Sequence, residues 1–270
     1  MRVRLFALLL SLITPPALAQ DRLTRPLSQP PGYSWAGFYF GGHLGYQRSP
    51  SGGNLSGYTG YAAGFFETGG LKRFNLDPNG LFGGVQLGAN AQFDRLVVGV
   101  EADASLLGHI AKGQSSATNR TTLATLSVTH TETLTSKTDI NWLATFRARL
   151  GYAVLDRLLI YGTAGLAMSQ IRASAGQVSV IHTVPLSGPS TTATNLANAA
   201  SSSWTRTGWA AGFGAEWAFS RSLSLRGEYL HYSLGDQTLV VQNQTGPAQT
   251  TSFRFRNSGD LFRIGLNSLF

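Results

Sequence analysis

Most of the chain repeats one unit: an alternating segment of about ten residues, then a connection, with short and long connections in turn. Eight such segments lie near 35–46, 81–93, 96–108, 139–153, 158–170, 205–219, 222–233 and 253–270. The short connections are Asp94-Arg95, Leu155-Asp156-Arg157 and Ser220-Arg221-Ser222, and the long ones are residues 47–80, 109–138, 171–204 and 234–252. In a closed antiparallel barrel, odd-numbered connections meet at one rim and even-numbered ones at the other. The pattern therefore predicts an all-β, eight-stranded antiparallel up-and-down transmembrane β-barrel with short periplasmic turns and long extracellular loops.

The composition agrees with strands rather than membrane helices. Only 13% of the residues are charged and 11% are aromatic, yet the mean hydropathy is near zero, so the apolar residues are scattered. Beyond the N-terminal segment no run of about 20 apolar residues occurs, which excludes helical spans. The chain has no cysteine, which excludes disulfides, thiolate metal sites, cysteine nucleophiles and a lipidated cysteine.

The N-terminal residues are typical of an export signal. Arg2 and Arg4 precede an apolar run, and Ala17-Leu18-Ala19 forms a small-residue cleavage site. We expect a signal peptide at 1–19 that is cleaved near Ala19, a proline-rich lead-in at 20–34 and the barrel at 35–270. The formal charge of +8 includes the two signal arginines. No lysine and arginine cluster follows them, so a nucleic-acid partner is not expected.

Charged residues give the phase of the strands, because successive side chains in a strand point to opposite faces. Glu101 and Asp103 share one face of their strand, opposite Val98, Val100 and Ala102. The same parity predicts an interior charge network of Glu101, Asp103, Arg147, Arg149, Glu216, Arg226, Glu228 and Arg263. Its four acids and four bases balance, and an eight-stranded barrel is narrow enough to be filled by its own side chains. We expect a packed network and no permanent wide channel.

Two further patterns fit this barrel. Aromatic residues at strand ends predict interfacial girdles of Trp35, Tyr46, Phe93, Tyr152, Phe219 and Phe270. Frequent strand glycines predict room for bulky inward side chains and a tightly curved sheet. The long connections are rich in Ser, Thr, Asn, Gly and Ala and are interpreted as mobile surface loops, although the Thr and Val of 127–133 and 177–184 favour hairpins.

Several motifs resemble those of a known family: YSWAGFYFGGHLGY in the first strand, LFGGVQLGANAQF in the second, GAEWAF followed by SLSLRGEYLHYSLG, and the terminal RIGLNSLF. Over about residues 33–270 the chain resembles the outer-membrane immunogenic protein or opacity-type porin family of small barrels. The resemblance implies an eight-stranded barrel in the outer membrane of a Gram-negative bacterium. It also implies that Phe270 belongs to a C-terminal signal read by the barrel assembly machinery.

The sequence carries little that points to catalysis. The five histidines lack metal-ligand spacing, and no catalytic or cofactor motif appears, so neither a metal, a cofactor nor a catalytic residue is expected. One pair is an exception: His231 and Ser233 resemble the His-x-Ser pair of an outer-membrane lipid A deacylase, which is also an eight-stranded barrel. Such a hydrolase needs an acid to orient the imidazole, and Glu228 has the opposite parity.

A binding surface is the better-supported site. Bases outnumber acids in and near the predicted outer loops, and arginine suits phosphate, so outer-membrane lipids and lipopolysaccharide are the expected partners. The predicted lipopolysaccharide contacts are Arg254, Arg256, Arg206 and Lys137. The loops could also bind host or surface ligands.

The sequence therefore predicts a non-enzymatic outer-membrane barrel with a structural and surface-display role. A small porin for passive diffusion is the alternative function, and an outer-membrane lipid A-modifying hydrolase is a third.

Overall fold

The computed structural model describes residues 33–49, 51–58, 73–76, 79–122, 126–185, 187–242 and 250–270. Within these residues, ten strands form one sheet. They are β1 Gly37–Arg48, β2 Ser51–Tyr58, β3 Arg73–Leu76, β4 Gly80–Phe93, β5 Leu96–Thr122, β6 Leu126–Leu155, β7 Leu158–Pro185, β8 Thr191–Ala218, β9 Leu223–Gln242 and β10 Thr250–Leu269. Among these residues no helix is both long and apolar enough to cross a membrane.

Eight of the strands close into a ring. β1 pairs antiparallel with β4 on one side and with β10 on the other, and β4 to β10 pair consecutively in between. In this register Leu44 lies opposite Gly83 on β4 and Ile264 on β10. The predicted eight-stranded antiparallel barrel is confirmed. Its short connections include a two-residue turn at Asp94-Arg95, where Asp94 adopts a φ of 53° that Asp tolerates better than most residues.

Within the described residues, the strands continue through most of three of the four predicted long connections. β5 reaches Thr122 and β6 begins at Leu126, so most of the predicted loop at 109–138 is a paired ladder. β7 and β8 replace most of the loop at 171–204, and β9 and β10 most of that at 234–252. The hairpin tendency expected at 127–133 and 177–184 is confirmed, since both segments lie in strands.

At the long-connection end the ring opens into two sheets. The pairing of β8 with β9 ends at Trp209 and Ser233, and the pairing of β4 with β5 ends at Phe82 and Leu107. Beyond those points β5 to β8 form one sheet, while β9, β10, β2 and β3 form the other. Among the described residues, no strand pairing joins these two groups of outer strands beyond the ring.

Side chains alternate between a buried inner face and an exposed apolar outer face. We call the outer band the apolar belt; it includes Leu44, Leu87, Val98, Phe146, Leu166, Phe213, Leu225 and Ile264. Tyr46, Phe93, Tyr152, Phe219 and Phe270 also face outward, as the girdle prediction required. Trp35 does not: it is 2% exposed and packs inside the short-turn mouth, because it precedes the first residue of β1 and turns inward.

Candidate functional site

The centre of the barrel holds a layer of eight charged side chains, which we call the charged layer. Its members are Glu101, Asp103, Arg147, Arg149, Glu216, Arg226, Glu228 and Arg263, and each is at most 5% exposed. They come from β5, β6, β8, β9 and β10, and strand alternation directs all of them inward. The structure thus brings together every residue of the predicted interior network.

The four arginines interlock with the four carboxylates. Arg147 contacts Glu101 at 2.5 Å, Asp103 at 2.8 Å and also Glu228. Arg263 lies 3.2 Å from Asp103 and 2.9 Å from Glu228. Because most of these groups have more than one opposite charge nearby, their attraction offsets the large cost of removing each charge from water.

The remaining pairs complete the layer. Arg226 contacts Glu101 at 2.5 Å and also pairs with Glu228. Arg149 pairs with Glu216, and its guanidinium lies 3.7 Å from the centroid of the Tyr161 ring. Stacking on an aromatic face gives this buried cation a further favourable contact.

Hydroxyl and amide groups donate further hydrogen bonds to the four carboxylates of the layer. The Tyr39 hydroxyl donates to Glu101 over 2.6 Å, and the Tyr161 hydroxyl donates to Glu228 over 3.0 Å. Thr145 donates to Asp103, and Asn267 donates to Glu216 over 2.8 Å. These polar neighbours fix the carboxylates in place, which favours a single packed arrangement.

Two apolar layers enclose the charged layer along the barrel axis. The lower apolar layer, toward the short turns, consists of Trp35, Val97, Ala153, Leu159, Tyr161 and Ala218.

 The Leu159 side chain is fully buried there, and the Tyr33 ring packs edge-on against Trp35. The upper apolar layer, toward the extended end, consists of Phe82, Leu107, Ile140, Leu143, Ala167, Ile171, Ala210, Leu230, Tyr232, Leu234 and Leu261. The charged side chains therefore do not line a water-filled channel.

A polar chain links β1, β4, β5 and β10 beside the charged layer. Nε2 of His43 lies 2.9 Å from the Ser105 hydroxyl, and Nδ1 contacts the Gln86 amide oxygen. Gln86 in turn donates to Asn267 over 2.7 Å. Sequence analysis missed this chain because neutral residues give no parity signal as clear as a charge. No group of histidine and acidic residues with metal-site geometry occurs in the described part of the protein.

The predicted phosphate-binding residues divide into two sets. Arg254, Arg256 and Lys137 lie on the outward face and are exposed. Arg206 lies on the inner face of β8 with Ala210, opposite the buried Ser169 of β7. Arg206 is three positions from the outward Trp209 and so has inward parity, which does not favour a contact with the surrounding lipid.

The pair His231 and Ser233 faces outward at the upper edge of the apolar belt. Nδ1 of His231 lies 2.8 Å from an Asp260 oxygen, which also accepts a 2.7 Å hydrogen bond from Tyr229. Asp260 is the acid that the sequence did not reveal, because it is adjacent only through the register of β9 with β10. Among the described contacts no hydrogen bond joins Ser233 to His231, so the three side chains do not form a connected triad.

Comparison with known proteins gives a consistent assignment. Residues 5–256 match the family described as outer membrane protein beta-barrel domain. The 31 kDa outer-membrane immunogenic protein of Brucella melitensis biotype 1 is 30% identical over 203 residues, covering 73% of this chain and 69% of the relative. The protein of the same name from Brucella suis biovar 1 matches to the same extent.

Two solved structures illustrate the similarity in fold. OprG from Pseudomonas aeruginosa aligns with a TM-score of 0.45 and 10% identity, covering 88% of this chain and 98% of OprG. Neisserial surface protein A aligns with a TM-score of 0.34 and 14% identity, covering 87% of this chain and 98% of that protein.

Proposed function

We propose that this chain, which belongs to the family of outer membrane protein β-barrel domains, is a non-conducting barrel that stabilises the outer membrane and displays its extended strands at the cell surface. The family resemblance of the sequence motifs is confirmed, and the chain is an outer-membrane β-barrel protein. The structural and display roles are our proposal.

The observation that carries the proposal is the closed interior. The charged layer is buried, and apolar side chains pack against it on both sides. Ion conduction needs a continuous hydrated path. Opening such a path here would separate several buried ion pairs. Breaking one buried pair by removing a partner costs about 3–5 kcal/mol, so this separation is unfavourable. The interior supports a structural role better than the small-porin alternative.

Planar-bilayer conductance of the refolded barrel tests this proposal. Folding is verified first by the mobility difference between heated and unheated samples on a gel. We expect small or absent currents from the folded protein. Steady openings of uniform size would overturn the proposal in favour of a small porin.

The display role requires the long-connection end to face outward from the cell, as in bacterial barrels with short periplasmic turns. The cysteine-free chain allows a direct test with single cysteines. Ser201→Cys lies on the exposed face of β8, and Ser222→Cys lies in a short connection. A membrane-impermeant maleimide should label the first variant on intact cells and the second only after lysis. The reverse labelling would contradict the proposed orientation.

A lipid A-modifying activity is not part of the proposal. His231 has an acidic partner in Asp260, but Ser233 has no hydrogen bond to His231. We expect Ser233→Ala to leave the acylation of lipid A unchanged, as measured by mass spectrometry of lipid A from expressing cells. A shift in acylation that required Ser233 would establish the enzymatic alternative.

The proposed partners are lipids of the outer leaflet. Exposed outward bases, including Arg48, Arg254 and Arg256, lie beyond the apolar belt, where anionic headgroups would surround the barrel. Binding of host or surface ligands to the two outer sheets is part of the same proposed display role. Recognition of Phe270 by the barrel assembly machinery is a separate proposal.

A further inference from the structure

A polar groove lies on the outer wall of the barrel, across β6, β7 and β8. Its volume is about 390 Å³, and its lining includes Lys137, Asp139, Arg172, Ser174, Ser201 and Ser203. The strand register places Asp139, Arg172 and Ser203 in one row and Lys137, Ser174 and Ser201 in the next. All three strands thus contribute polar groups to one concave surface.

The groove lies just beyond the apolar belt. On β7, Arg172 follows Met168 by four residues on the same face, and Met168 is 41% exposed within the belt. Four residues span about 13 Å along a strand, or about 10 Å along the membrane normal at the usual tilt of such strands. This height corresponds to the headgroups of the outer leaflet rather than to its acyl chains.

The groove has the chemistry of a phosphate site. Lys137 and Arg172 are exposed cations, and among the described contacts neither forms an ion pair within 4.0 Å with Asp139. The guanidinium can donate two parallel hydrogen bonds to phosphate oxygens, while the ammonium acts as a compact second charge. Serine hydroxyls of β7 and β8 add neutral donors on the same surface.

Asp139 makes the groove selective as well as attractive. It lies directly opposite Arg172, and the groove as a whole has one more base than acid. A carboxylate beside the cations repels acidic groups that do not contact the arginine, but it can accept hydrogen bonds from sugar hydroxyls. A phosphorylated sugar satisfies the bases, the serines and the carboxylate together.

We propose that this groove binds a phosphate group on the sugar headgroup of an outer-leaflet glycolipid. The inference rests on the proposed function, in which the long-connection end of the barrel faces the outside of the cell. It places Arg172, rather than the inward Arg206, among the lipid contacts. It is independent of whether the barrel conducts.

The test uses the full barrel, refolded in uncharged detergent micelles and titrated with lipid A that carries both phosphates. The groove variant is Lys137→Gln with Arg172→Gln. The control variant is Arg157→Gln with Arg221→Gln, which removes the same charge from exposed residues in the short connections. Native mass spectrometry counts bound lipid, and heat-modifiable mobility verifies that each variant is folded.

We expect the wild type and the control to bind phosphorylated lipid A with similar affinity and the groove variant to bind at least about tenfold more weakly. Dephosphorylated lipid A should bind the wild type as weakly as the groove variant. Equal binding by the folded groove variant and the control would overturn the proposal. Equally tight binding of soluble glucosamine phosphate would also overturn it, because the site would then not require a lipid. Neither outcome alters the conductance on which the proposed function depends.

Discussion

At the scale of single residues, small side chains on the inner face make room for the large ones. A Cβ atom on Gly88 would lie 2.4 Å from the Tyr39 ring, and one on Gly214 would lie 2.6 Å from the Tyr161 hydroxyl. Both tyrosines contact Arg149 through their rings. The inward glycines are therefore a packing requirement of the charged layer, which agrees with the room that the sequence pattern predicted for bulky inward groups.

Gly88→Ala is expected to lower the free energy of unfolding by about 1–3 kcal/mol, because the new methyl group must displace a buried ring that is held by its hydrogen bond to Glu101. Gly227→Ala is the matched control, since its Cβ would have no atom within 4 Å. The control should change stability by no more than about 0.5 kcal/mol. Urea midpoints of the refolded variants in micelles measure both, and equal midpoints would contradict the packing argument.

Glu101→Gln is expected to destabilise the barrel more strongly, by about 3–5 kcal/mol, because Arg147 and Arg226 would stay buried with less opposite charge. Asp236→Asn, on an exposed outer residue, is the control and should change stability little. Adding Arg226→Met to Glu101→Gln restores a neutral layer. The double variant should therefore lose less stability than the sum of the two single variants in the same urea experiment.

At the scale of strands, the sequence predicted the membrane-spanning half of each strand well and the half beyond the apolar belt poorly. Where one face of a strand is apolar, charges such as Glu101 and Arg147 show which residues face the barrel interior. The membrane-spanning part of each strand was therefore predictable. Beyond the apolar belt some segments lose the contrast between the two faces, as in the Ser-rich segment 201–203. There the strand is specified by pairing with neighbours such as β7, which no local pattern reveals.

The same limit applies to contacts made across strands. Asp260 meets His231 because residue 260 pairs with residue 231, and the groove joins Lys137 to Arg172 across β6 and β7. Neither pairing can be read from spacing along the chain. The charged layer was predictable as a set because parity alone defines an interior, but which arginine meets which carboxylate depends on the register.

The outer half of β8 should show an asymmetric pattern of amide protection. Among the described strands only β7 pairs with it beyond Trp209, whereas β7 is paired on both sides. In residues 199–207 about half of the amides point toward the open edge, and these should exchange rapidly. Amides of 163–175 in β7 should stay protected. Hydrogen exchange with mass spectrometry measures both segments, and equal protection would mean that another segment or molecule covers the β8 edge.

At the scale of the whole molecule, four of the five tryptophans distinguish the interior of the barrel from its outer wall. Trp209 and Trp217 face outward, with 52% and 48% of their surface exposed, at opposite ends of the apolar belt. Trp35 is buried inside the short-turn mouth, and Trp204 has inward parity on β8 beyond the belt. A single quencher in the lipid can therefore distinguish the wall from the interior.

Lipids brominated on their acyl chains should quench variants that retain only Trp209 or only Trp217, because bromine quenches only fluorophores that it can approach closely. Bromine near the bilayer centre should quench both less than bromine near the headgroup, since the two residues lie at the two edges of the belt. The variant that retains only Trp35 should keep its fluorescence in every lipid. Strong quenching of Trp35 would show that the barrel mouth is open to lipid and that the lower apolar layer does not enclose the charged layer. Loss of the depth difference for Trp209 and Trp217 would instead mean that the belt does not span the bilayer from one girdle to the other.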